Sequence, residues 1–443
     1  MIDDTPLTDE TVAVVGGGVA GLTAACYLAD AGATVTVVER NDTLGGVTNR
    51  LDVGEFTFDT GPSWYMMPET FDRFFGHFGR EASDYYAIER LDPQYRVFWK
   101  DGDRVDVTPD LDQVRRAFES YEAGAADALD DYLETARRTY ELGMERFVYA
   151  DRSRLRDLID PSIVRAAPAL THLGSMQGYV EGYFDEPKLQ QLLQYTLVFL
   201  GSSPHDAPSL YNLMAHVDFE RGVYYPEGGM YALVEALADL GRELGVTYRT
   251  GYEVTDLVPV DGGLRVVGDD GHAQSVDRVV ANANPAHVEC DLLPDGRGRS
   301  ADHWESLTYG PSALMLYLGV EGDVDPLAHH TLVFPMDWDP HFERIFDDPA
   351  WPENPAYYLS VASRTDETVA PDGHHAVVVL VPLAPGLDDD PDRVAEFREA
   401  VLADLAATTG VDLRDRIVAE RSACVSEFAD RYRTPGAWCA GRS

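Results

Sequence analysis

Lysine is almost missing from this 443-residue chain. Only Lys100 and Lys188 stand among its 35 basic residues, against 77 acidic ones, for a formal net charge of −42. A surface this poor in cations argues against a nucleic-acid partner. The acids are spread along the chain in short runs such as Asp388-Asp389-Asp390 rather than gathered in one block. That spread favours a protein of molar salt, where the Debye length falls to about 3 Å and self-repulsion is screened, over a protein with one acidic binding face. A halophilic cytoplasm is the expected setting.

Other absences narrow the class further. The four cysteines, Cys26, Cys290, Cys424 and Cys439, show no CxxC spacing, so neither a disulfide framework nor a zinc site is expected. The N-terminus, Met1-Ile2-Asp3-Asp4, carries no apolar stretch of the secretory kind. No apolar run approaches the ~18 residues of a membrane span. The greasiest, Leu192 to Leu200, is broken by Gln194, Tyr195 and Thr196. His172, His205 and His216 lack paired ligand spacing, and His329-His330 and His374-His375 read as loop pairs, hydrogen-bonded or solvated rather than metal-bound. No nucleophile–base pair is visible. Apolar content is ordinary at 45%, and the length exceeds what one core usually supports, so two interleaved domains are expected.

What is present begins at residue 11. Thr11–Val15 is a strand, Gly16-Gly17-Gly18-Val19-Ala20-Gly21 a glycine turn entering a helix, and a second strand closes on Glu39-Arg40. Gly16 allows the tight turn, Gly18 lets a pyrophosphate approach the backbone, and Gly21 lets helix and strand pack closely. The helix start offers free N–H groups to the phosphates. Glu39 falls about where an acid bonds the adenosine ribose, and an acid there argues against NADP.

Further along stand Leu44-Gly45-Gly46, Asn49-Arg50 and Gly54-Glu55-Phe56-Thr57-Phe58-Asp59-Thr60-Gly61-Pro62-Ser63. With Tyr224-Tyr225-Pro226-Glu227-Gly228-Gly229-Met230, Gly251-Tyr252-Glu253-Val254 and Val279-Val280-Ala281-Asn282-Ala283-Asn284-Pro285, the chain resembles the phytoene desaturase family of FAD-dependent carotenoid desaturases, relatives of amine oxidases. The resemblance runs to about Pro435. It implies an α/β fold in which a Rossmann-like, glutathione-reductase-type FAD-binding domain (residues 1–70 and 225–300) is interleaved with an α+β substrate-binding domain (71–224 and 301–436), leaving 437–443 as an atypical tail.

The resemblance also assigns residues. Gly16, Gly18, Gly21 and Glu39 would hold the ADP half of FAD, and Arg40 and Gly46 would flank the pyrophosphate. Gly61, Pro62 and Ser63 would line a flavin-facing loop, and the Val254 backbone would meet the adenine. The implied reaction is hydride abstraction from a lipid-soluble polyene followed by proton loss, with quinone or oxygen reoxidising the flavin. Trp64, Tyr65, Met66, Met67, Tyr195, Phe199, Tyr211, Met214 and Tyr224 are tunnel candidates, with core packing the plainer reading of each. A lipid-dissolved substrate implies association with the inner face of the cell membrane. Ile159–Met176 is the candidate contact, a buried helical pair the equal alternative.

Two departures from the family pattern stand out. Val47 occupies the position where the family usually has arginine, so weakened FAD binding is expected, with Arg50 reaching back as a substitute and Val47→Arg strengthening binding. The family pattern also breaks off after Gly436, as a frameshift or truncation would produce, which is expected to leave Thr11–Val15 with an unpaired apolar edge. An amine oxidase or isoprenoid reductase of the same fold, or a non-catalytic flavoprotein, are the competing readings.

Overall fold

A computed structural model describes residues 7–150 and 174–434. Most of Ile159–Met176, His172, Cys439, the tail and the side chain of Phe199 lie outside the described residues.

The first sheet is wholly parallel. Strands β1 (Thr11–Val15), β2 (Thr34–Val38), β3 (Thr247–Arg249) and β4 (Arg278–Ala281) lie in the order β4-β1-β2-β3. Alternation along β1 sends Val12 and Val14 towards Ala25 and Val35, and Ala13 and Val15 towards Tyr252, Val254 and Leu257. Both faces are therefore covered, as a parallel sheet requires. Helix α1 (Val19–Asp30) crosses over between β1 and β2 and packs Leu22 and Cys26 on Leu233 and Leu237 of α2 (Tyr231–Glu243).

The expected open edge on Thr11–Val15 is not found. β4 pairs with it in parallel register, Val12 opposite Arg278 through Val15 opposite Ala281, so β1 is a central strand and β4 the edge. The Val279–Asn284 segment that carries a family motif is what covers it.

The second sheet has seven strands in the order 417–423, 312–321, 374–383, 357–360, 330–334, 95–99, 104–107. Ser312–Glu321 is buried along nearly its whole length. Its Leu314, Leu316 and Leu318 meet Phe397, Val401 and Leu405 of helix Pro391–Thr409, while Met315 and Tyr317 meet Phe56 and Phe58 on the other face. Close approach there is possible because Gly319 has no side chain; a Cβ would sit 2.5 Å from the Phe56 ring. A helical layer, including Leu111–Tyr121, Ala125–Gly143 and Pro187–Gln194, closes the far end around Trp99, Tyr132 and Phe184.

Both lysines serve one corner. In the hairpin turn Lys100–Asp103, Lys100 Nζ reaches Asp404 (3.0 Å) and Asn354 (2.7 Å). From helix Pro187–Gln194, Lys188 Nζ grips Asp101 and Asp103 at 2.7 and 2.8 Å. The two cations thus tie the helical layer and helix Pro391–Thr409 to the edge of the large sheet, with only 13% and 10% of their side chains exposed.

Candidate functional site

At the C-terminal ends of β1 and β2 the chain makes two glycine loops that lie side by side. Gly16 takes φ +103°, and a Cβ on Gly21 would stand 2.2 Å from the Gly16 carbonyl, so α1 leaves β1 in the tightest available turn. The second loop docks onto the first: Gly45 N donates to Gly17 O at 2.8 Å, and a Cβ on Gly46 would come within 3.2 Å of Gly18 Cα. Gly18 caps α1 without a side-chain hydrogen bond, and the first turn holds no acid. The helix start is left free for an anion.

These loops floor a cleft of about 430 Å³. Gly16, Gly18, Glu39, Arg40, Gly46 and Val254, all picked out from the sequence, line it. Gly21 lies just beneath, packed on Gly16 and Asn282. Gly61 stands behind Val47, against whose carbonyl a Cβ would clash at 1.9 Å, and none of Gly61, Pro62 and Ser63 is in the cleft lining. Glu39 is 6% exposed; its Oε2 accepts from Gly17 N and its Oε1 from Asn41 N and Nδ2, each at 2.8 Å. Val47 lines the cleft with 39% of its surface open.

Arg50 does not reach back. Its guanidinium lies 5.1 Å over the Tyr231 ring and 4.0 Å from Glu235, outside the cleft, because Arg50 opens the strand Arg50–Val53, which directs its side chain towards α2. The cations come from elsewhere. Helix α3 (Val425–Tyr432) brings Arg431, Tyr432, Arg433 and Thr434 to the rim. Arg40 Nη1 donates to Asp430 O at 3.1 Å, and Arg433 Nη2 bonds Glu253 Oε1 at 2.7 Å. Arg433, with help from Arg40, holds the Glu253 carboxyl below its ordinary pKa. Spacing within the first sixty residues could not have found α3, since the contact joins positions about as far apart as the chain allows.

The residues after Gly61 lead to a second feature. Trp64 stacks face to face on His330, with ring centroids 4.3 Å apart at 7°. His330 is fully buried at the start of strand His330–Phe334, and its Nδ1 lies 2.7 Å from the Tyr358 hydroxyl. The histidine pairs are not simple loop pairs: His330 opens its strand, His329 sits in the bend before it with both interior, and His374-His375 opens the strand His374–Leu383. Period-2 alternation downstream was visible, but the strand's first residue was not. Burial pushes the His330 pKa well below the ordinary value, with neighbouring His329 adding to the effect, and so keeps the ring neutral.

Tyr358 and Tyr195 also wall an apolar cavity of about 140 Å³, bounded by Leu332, Phe334, Trp338 and Phe342. Beside it, Asp218 accepts from the hydroxyls of Tyr95 (2.7 Å) and Tyr195 (2.9 Å), and burial raises its pKa to about 7. Of the other aromatic candidates, Tyr65 is plain core: it bonds Tyr86 at 2.7 Å and packs under α1 and α2.

A parallel sheet with a glycine turn, a buried acid after its second strand and a cleft at the strand ends defines a dinucleotide-binding flavoprotein fold. The chain belongs to the flavin containing amine oxidoreductase family, whose pattern matches residues 19–440, and within it to the carotenoid desaturases. It is 57% identical to a carotenoid 3,4-desaturase of Haloarcula japonica over 428 residues, 96% of this chain and 86% of that protein. A zeta-carotene-forming phytoene desaturase of Myxococcus xanthus is 34% identical over 84% of this chain and 72% of its own length. Among solved structures, putrescine oxidase with putrescine bound superimposes with a TM-score of 0.62 at 18% identity, over 97% of this chain and 87% of that one. An oxidoreductase of Methanosarcina mazei gives 0.60 at 17%, over 97% and 90%. These last two speak for the fold alone. Membership of the family brings a flavin cofactor and an oxidoreductase activity. The free start of α1, the glycine strip and the arginine-lined rim suit the phosphates of such a group. No helix among the described residues is long and apolar enough to cross a membrane.

Proposed function

We propose that the chain is an FAD-dependent desaturase of linear carotenoids, acting on phytoene or on a later intermediate such as the substrate of a 3,4-desaturation. The observation that carries this reading is continuity. From Gly61, packed on the Val47 carbonyl at the cofactor cleft, three residues lead to Trp64, whose ring lies 5.9 Å from both Tyr195 and Tyr358 in the wall of the apolar cavity. A hydrocarbon without polar handles can be held only by such a surface.

Gly16, Gly18, Gly21 and Glu39 serve the ADP half, Arg40 and Gly46 the pyrophosphate, Gly61, Pro62 and Ser63 the flavin, and the Val254 backbone the adenine. The bound flavin supplies the hydride acceptor. The chain's own work is to exclude water and to take the proton that the adjacent carbon must lose. Tyr358 faces the cavity, and its hydroxyl can pass its own proton to neutral His330 as it accepts one. The face of Trp64 stabilises the imidazolium so formed. Among the described residues the cavity, about 140 Å³, suits one end of a long polyene and so a bond near the terminus. The rest of the substrate stays in lipid, so the protein works at the membrane surface, with quinone or oxygen as the final acceptor. The residue ranges 1–70 with 225–300, and 71–224 with 301–436, are the two functional parts.

The test is direct. Protein purified in molar KCl should carry a flavin band in its visible spectrum and convert linear carotenoids in liposomes to products with added double bonds. A flavin-free preparation that folds, or a loaded one that leaves every polyene unchanged, would refute the reading.

A further inference from the structure

In a chain of formal charge −42, the cofactor cleft is lined by three arginines, Arg40, Arg431 and Arg433, against two carboxylates, Glu39 and Glu253. Glu39 is already met by three N–H donors. Glu253 is shared by Arg433 at 2.7 Å and Arg40 at 4.0 Å. Arg431 is left over. It has no ion pair among the described residues, and its Nε is buried without a hydrogen-bond partner. Thr434 Oγ1, on the same lip, is also buried and unpartnered. A guanidinium N–H shut away from water needs an acceptor, and the described residues provide none there. Val47, at the position where the resemblance leads one to expect arginine, offers only an apolar side chain.

We propose that Arg431, carried to the rim by α3, is the cation that binds the diphosphate of the dinucleotide, with the Thr434 hydroxyl beside it. The inference rests on the reading of the cleft as a dinucleotide site. The planar fork of a guanidinium matches two phosphate oxygens, and that geometry survives salt better than charge alone. It also revises the expectation for residue 47: the arginine missing there is replaced from the other end of the chain.

The test titrates flavin-free protein in molar KCl with FAD, with ADP and with riboflavin, by calorimetry and flavin fluorescence. Arg431→Gln should weaken FAD and ADP about tenfold or more and leave riboflavin unchanged. Val47→Arg should recover most of that loss when added to Arg431→Gln, and alone should gain less than about threefold. Arg431→Lys, which keeps the charge and loses the fork, should fall between and guards against misfolding of the Gln variant. FAD and ADP binding unchanged in Arg431→Gln would overturn the proposal. So would a parallel loss of riboflavin, which would make the α3 end a mere wall. ADP binding that depends on Arg431 in a protein that takes no flavin would uphold this inference and sink the desaturase reading.

Discussion

Replacing Asp218 by Asn should make the protein progressively more stable, relative to the unchanged chain, as pH rises from 5 to 8. Asp218 is 1% exposed, and burial lifts its carboxyl from an ordinary 3.8 to about 7 although two tyrosine hydroxyls favour the charged form. The folded state therefore holds the proton more tightly than the unfolded chain does. Such a group contributes stability that is complete below the unfolded pKa and is lost as pH climbs to the folded one. At 1.36 kcal/mol per pKa unit, the loss between pH 5 and 8 is about 3 kcal/mol. Asn cannot ionise and escapes it. For 443 residues the unfolding entropy scales to about 0.9 kcal/mol/K, so the gap in Tm should widen by ~3 °C. The extra amide N–H of Asn costs ~1–3 kcal/mol if unsatisfied, equally at every pH, so the slope is the readout and not the sign at one pH. His329, His330 and His341, whose pKa values burial lowers, pull the other way below pH 6.5 but are common to both proteins and cancel. The assay is differential scanning fluorimetry in molar KCl across that pH range. A difference in Tm that stays flat would show that Asp218 titrates normally and that the site is wet.

Three further outcomes follow from the same geometry. Gly21→Ala forces a Cβ to within 2.2 Å of Gly16 O and 2.8 Å of Asn282 Nδ2. It should cost ~1–3 kcal/mol and lower the flavin band relative to protein absorbance; full flavin content would refute the packing argument. Tyr358→Phe should retain flavin and polyene binding but slow product formation by ~10²–10⁴-fold, read by chromatography of the pigments, whereas undiminished turnover would remove Tyr358 from the proton path. Phe342→Ala, at a side chain 6% exposed on the apolar cavity, should cost ~3–5 kcal/mol and shift the preference towards bulkier polyene ends; an unchanged product profile would place the substrate elsewhere.

The amino-terminal part of the site was legible because its reasons are local. Gly16, Gly18, Gly21 and Glu39 act within one strand–turn–helix–strand unit, so their spacing is the mechanism. Gly61 was legible through resemblance, but its physical reason, the Val47 carbonyl at van der Waals contact, needed the fold. Arg50 illustrates a register effect: it is only three residues from Val47, yet strand geometry turns it to Tyr231 and not to the cleft. The edge of β1 could not be judged at all from residues near it, since its partner β4 lies more than 250 residues on. Arg431 and His330 were invisible for the same reason. Each draws its meaning from a neighbour that only tertiary contact supplies.

The two lysines give the chain an uncommon chemical blank. With Lys100 and Lys188 both locked at one hairpin, amine-directed reagents find no open side-chain target on the folded surface. A lysine-specific protease has only those two places to cut. Lys188 becomes available when the helical layer lifts from the large sheet, and Lys100 when helix Pro391–Thr409 does. The appearance of its fragments would therefore time the opening of that single corner, a clock that arginine-specific cleavage, with many exposed sites, could not provide.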